Sequence, residues 1–99
     1  MQAPDKIAVE NPNSPGRTTN VDRAKYATMK SAMLAVMPGA APGLTAAELK
    51  TALLPLLAPH LFPGGDKAGW WLKCVQLDLE ARHVITREAS KPLRWHRLP

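Results

Sequence analysis

The chain is poor in several things at once. Its 99 residues include one cysteine, one phenylalanine and one tyrosine. A single thiol, Cys74, excludes an internal disulfide and fits a reducing, cytoplasmic setting. No apolar run approaches the ~18 residues of a membrane span; "MLAVM" and "LLPLLAP" are short and broken by proline. The opening "MQAPDKIAVENPNSPG" lacks an apolar core, so no signal peptide is expected. Acids are scarce as well: eight Asp+Glu against thirteen Lys+Arg give a formal net charge of +5. That excess points to nucleic acid or another polyanion as partner, or simply to solubility. Catalytic patterns are missing. His60, His83, His96 and Cys74 are not spaced for a zinc site. Cys74 falls mid-helix on an apolar stripe, where a cysteine is usually an inert small hydrophobe. "FPGGD" sets two glycines before a helix, a weak anion signal. Neither an enzyme, a cofactor, a metal nor a small-molecule substrate is expected.

What is present is a clear order of elements. Residues 1–19 carry three prolines and few large apolar groups and read as an extended or disordered arm. A first helix is predicted from about Val21 to Met37, capped by Asn20, with Tyr26, Met29, Met33, Val36 and Met37 on one stripe. In "LTAAEL", Thr45 and Glu48 form a capping box, and Leu44 with Leu49 a hydrophobic staple. The second helix starts there and buries Leu49, Leu53, Leu56 and Leu57. Pro55 lacks an N–H and crowds the preceding turn, so a kink or restart is predicted at that point. Asp66 is the predicted cap of a third helix running from about Lys67 to Arg82. "VITRE", a turn "ASKP" and "LRWHRL" then read as a β-hairpin, with Leu93 and Trp95 on one side and Arg94 and His96 on the other.

The run "LDLEARHVITREASKPLRWHRL" resembles the junction of recognition helix and wing in winged helix-turn-helix proteins. There a Leu-Glu-x-x-Gly-Leu-Val-x-Arg pattern leads from the helix into the first wing strand; Leu79 to Arg87 fill that register. The resemblance implies a mainly α fold with a C-terminal β-hairpin, three helices followed by a two-stranded wing. Residues 20–99 would form that single domain. It also implies a DNA-binding, transcription-regulator-like role. "FPGGDKAGWWLKCVQLDLEA" is also similar to a family of small uncharacterised bacterial proteins. His83 stands where the pattern has glycine, so either His83 adopts a left-handed backbone or the helix ends differently.

Stepping about 100° per residue along the third helix separates two apolar stripes. Ala68, Leu72, Val75 and Leu79 form the one expected to face the other helices. Trp70, Cys74, Leu77 and Ala81 form the other, where a groove-reading helix would carry Arg, Lys, Asn or Gln for base edges. Three covers are open for this second stripe: the N-terminal arm, the "PLLAPHLF" segment, or a second copy of the chain. Asp78 and Arg82, spaced i, i+4, read as a surface pair worth about 0.3–0.5 kcal/mol.

Charge is uneven. Residues 82–99 hold five Lys/Arg against one acid, whereas 45–81 hold three lysines against four acids. The candidate nucleic-acid contacts are therefore Lys67 and Lys73 on the third helix, Arg87, Lys91, Arg94, His96 and Arg97 on the hairpin, and Arg17 or Lys6 on the arm. The expected partner is double-stranded DNA; the alternative is a protein-interaction or homodimerisation module built on Trp70, Cys74, Leu77 and Ala81.

Overall fold

The computed structural model describes residues 5–99, and its first element is a hairpin. Strand β1 (Lys6–Glu10) pairs antiparallel with β2 (Thr18–Asp22), Ile7 opposite Val21 and Val9 opposite Thr19. Successive side chains of a strand point to opposite faces, so Ile7 and Val9 of "KIAVE" share one; Val9 and Val21 are buried in the main core. The proline- and glycine-rich stretch between the strands is the turn.

Helix α1 (Arg23–Val36) follows directly. Its N-cap is Asp22, whose carboxylate accepts the Lys25 N–H, not Asn20, which lies inside β2. Tyr26, Met29, Met33 and Met37 are buried as the stripe required. A short strand β3 (Leu44–Thr45) leads into α2 (Ala46–Leu53). The capping box is complete: the Glu48 N–H donates to Thr45 Oγ1 at 3.2 Å, and the Thr45 N–H donates to Glu48 Oε1 at 2.9 Å. At Pro55 the α-helix gives way to a 3₁₀ turn, Leu54–Leu56, the restart expected of a ring with no N–H. Leu49, Leu53 and Leu57 are buried; Leu56 is exposed, because the change of helix type turns it outward.

Helix α3 (Ala68–Ala81) is preceded by Lys67, whose φ of 60° makes it a left-handed N-cap; Asp66 does not cap. At the other end His83 is left-handed too, at φ 60°. The His83 N–H reaches the Glu80 carbonyl and the Val84 N–H the Leu79 carbonyl, a Schellman ending. Strands β4 (Ile85–Glu88) and β5 (Arg94–Arg97) form the C-terminal hairpin, and β3 joins its far edge, giving the order β3-β5-β4. Gly43 makes that third pairing possible: its φ is +87°, and a Cβ there would lie 2.1 Å from the Trp95 carbonyl oxygen. Leu93 falls before β5 and is exposed, while Trp95 is buried.

The expectation of three helices followed by a two-stranded C-terminal wing is therefore corrected. The class is α+β, but the order is β-β-α-β-α-α-β-β, with strands at both ends and in the middle, in two sheets. The N-terminal strands form because alternate residues have a core to enter, and β3 forms because Gly43 permits the backbone of β5 to approach.

Candidate functional site

One carboxylate ties the N-terminal hairpin to the helices. Asp78 sits on α3 with no exposure to solvent. Its Oδ1 accepts the Glu10 N–H at 2.8 Å and the Arg82 Nε–H at 2.9 Å, and its Oδ2 accepts the Tyr26 hydroxyl. Arg82 also donates to the Ala8 carbonyl at 3.2 Å and pairs with Glu10 at 3.3 Å. The pair is thus no exposed i, i+4 bridge; it closes the edge of β1 with side chains in place of another strand. Burial, with Asp78 beside it, pushes the Tyr26 phenol far above its ordinary range, and the bond to Asp78 raises Arg82 further, so Tyr26 stays neutral and Arg82 charged.

Docking β1 there leaves a groove between the hairpin and the outer face of α3. Its volume is ≈ 560 Å³, within the range of ligand pockets. Val9, Val21, Cys74 and Leu77 supply its apolar floor; Arg17 stands on the hairpin side and Lys73 on the helix side, with Trp70 at the rim. Asn11, Ser14, Thr18 and Thr19 add a polar wall. Trp70 is 59 % exposed, the highest value of any large apolar side chain described. Its ring is nonetheless held: it meets Trp71 edge-on at 5.1 Å, and Trp71 meets Phe62 edge-on at 6.4 Å. Trp71 and Phe62 are buried. Cys74 is half-buried, and that burial, followed by the Asp78 charge, raises its thiol pKa, leaving it protonated at neutral pH.

The second stripe of α3 thus receives a cover of its own chain, the N-terminal hairpin. Cys74, Leu77 and Ala81 are partly buried, and Trp70 is left out. Of the basic residues singled out by sequence, Lys73 and Arg17 come together in the groove and Lys67 lies one turn before Trp70. The C-terminal hairpin contributes less free charge. Arg87 pairs with Glu80 at 3.2 Å and lies over Trp95, 5.7 Å from the ring centroid. Arg94 donates to the Gly43 carbonyl at 3.1 Å and pairs with Glu48 at 3.2 Å. His96 meets Glu88 at 2.8 Å, and Arg97 donates to the Met37 carbonyl at 2.8 Å. Lys91 stays exposed at the turn. The polar groove wall of Asn11 to Thr19 was missed by sequence reasoning, which treated it as an arm; the β-branched Ile7 and Val9, two apart in "KIAVE", were the available signal.

Among the described residues no three His, Cys, Asp or Glu gather as a metal group, and no helix is long and apolar enough to cross a membrane. The chain matches a family of unknown function, DUF6958, over residues 6–95. No curated protein and no solved structure matches it.

Proposed function

The chain belongs to that family of unknown function, and we propose that it is a non-catalytic nucleic-acid-binding module whose contact face is the groove between the N-terminal hairpin and α3. One observation carries the reading. Arg17 and Lys73 face the groove from opposite sides without an acid partner among the described residues, and the acid in its lining, Glu10, is paired with Arg82. Glu48, Glu80 and Glu88 are likewise engaged by Arg94, Arg87 and His96. The net positive charge therefore resides on exposed side chains such as Lys67, Lys73, Lys91 and Arg17, and a polyphosphate backbone is the partner whose charge it matches. A transcription-regulator-like role in the cytoplasm accords with this face and with the lone, protonated Cys74.

A second copy of the chain is the rival occupant, favoured by the exposed Trp70 beside the apolar floor. A salt titration of binding to a mixed set of DNA and RNA oligonucleotides separates the two. Phosphate-driven binding loses affinity linearly in log salt, and Arg17→Ala with Lys73→Ala is expected to reduce that slope by about 1.4–1.8. Absence of binding at low salt, with a dimer in sedimentation, refutes the nucleic-acid reading.

A further inference from the structure

The groove beside α3 differs from a face built to read a duplex in one respect that bears on which nucleic acid it takes. A B-DNA major groove is about 12 Å wide and admits one helix or one two-stranded ribbon. Here a helix and a two-stranded ribbon lie side by side, locked together by the Asp78–Glu10 and Arg82–Ala8 hydrogen bonds. The middle of α3 cannot enter a major groove without the hairpin being removed first. The side chains that would read base edges are also of the wrong kind: Cys74, Leu77 and Ala81 offer no strong hydrogen-bonding group.

The same groove is suited to an unstacked base. Trp70 presents a ring to solvent, and the edge-on chain of Trp71 and Phe62 fixes its orientation, so little rotamer freedom remains to be lost on stacking. Lys73, one turn further along α3, and Arg17, across the groove, stand where a backbone running past that ring would carry phosphates. Asn11, Ser14, Thr18 and Thr19 add hydroxyl and amide groups able to bond base edges with little sequence preference. Bases inside a duplex are already stacked on one another and offer no open face to a tryptophan.

We propose, building on the nucleic-acid reading above, that the partner is a single strand, one of whose bases stacks on Trp70 while its backbone is held between Arg17 and Lys73. The hairpin acts as the second wall of the channel, and duplex is excluded by its presence.

The test is a fluorescence titration of the intact chain with oligo(dT), with a duplex of equal length, and with poly-glutamate, each over a series of salt concentrations. Oligo(dT) is expected to bind at least about tenfold tighter than duplex. Trp70→Ala is expected to weaken that binding about 5- to 150-fold, the range of one base–aromatic stack, with the salt slope unchanged. Trp70→Phe should recover part of the affinity. Trp70 is exposed, and a circular dichroism spectrum like that of the wild type shows that the variant folds. If duplex binds as well as oligo(dT), or Trp70→Ala leaves affinity unaltered, the single-strand proposal is overturned while the nucleic-acid reading stands. If poly-glutamate binds as tightly as oligo(dT), the site is a general polyanion surface and the proposal is overturned. No binding to oligo(dT) overturns the single-strand proposal, and no binding to any of the DNA and RNA oligonucleotides of the salt titration above overturns the nucleic-acid reading as well.

Discussion

Single residues carry much of the local order, and three of them make direct predictions. Thr45 closes α2 by accepting the Glu48 N–H, and Glu48 answers from its own carboxylate, whose pKa the Thr45 N–H lowers. Thr45→Ala is expected to cost about 0.5–2 kcal/mol in chemical denaturation, since a helix N–H loses its partner. His83 holds a left-handed backbone that glycine adopts without steric cost, so His83→Gly is expected to stabilise by up to about 1 kcal/mol; an unchanged or lowered midpoint shows that the histidine ring contributes more than its backbone costs. His96 gives a pH dependence. Glu88, and after it the Arg97 carbonyl, raise its pKa above the ordinary 6.5. The folded state thus binds the proton more tightly than the unfolded chain. Its stabilisation is fully present below about pH 6.5 and is lost as pH rises through the raised folded value. The gap in urea midpoint between wild type and His96→Gln should therefore be largest in mild acid and shrink toward pH 9; a gap that stays constant across that range rules the ion pair out as its source.

At the scale of elements, what could be read in the sequence was what depends on neighbours along the chain. The capping box, the break at Pro55, the methionine stripe of α1 and the two stripes of α3 all follow from spacing, and all lie where spacing put them. The Leu79–Arg87 run resembled a winged-helix junction, but in this different fold its contacts are of another kind. Glu80 accepts the Trp95 indole N–H at 2.6 Å and pairs with Arg87, joining α3 to β4 and β5. Features set by distant partners were not legible. Asp78 and Arg82 look like a surface pair because nothing nearby in the sequence announces that β1, some seventy residues earlier, will cover them. β3 is two residues long, too short for any periodicity, and exists through the approach of Trp95 to Gly43. In the groove, the apolar stripe that begins at Trp70 and the neighbouring Lys73 were visible in the sequence, whereas the wall opposite them belongs to a hairpin hidden among prolines. Gly43→Ala is expected to break the β3–β5 pairing, since a Cβ cannot sit 2.1 Å from a carbonyl oxygen. Loss of amide exchange protection at Leu44 and Trp95, with α1 still protected, is the expected signature.

For the whole molecule the question is whether the N-terminal hairpin is an appendage or part of the fold. Val9 and Val21 are each about 7 % exposed and belong to the same core as Leu79 and Trp95. Their burial is worth about 1.5–3 kcal/mol each. Asp78 matters more: without β1 it keeps Arg82 and Tyr26 but loses the Glu10 N–H, and its carboxylate is opened to water. A lost hydrogen bond to a charged group typically costs about 1.5–3 kcal/mol. Against a typical total stability of about 5–15 kcal/mol, these losses together are enough to unfold a small domain. The hairpin also walls the groove over Cys74 and Leu77, so its removal would bare an apolar stripe with Trp70 at its end. A chain beginning at Arg23 is therefore expected to aggregate, or to lose cooperative unfolding in a thermal melt. Asp78→Ala in the full chain should show the same effect in milder form, by exposing β1 amides to exchange ahead of the rest. If the shortened chain instead melts sharply at the temperature of the full one, the hairpin is an appendage, and the groove it forms with α3 is one that can open.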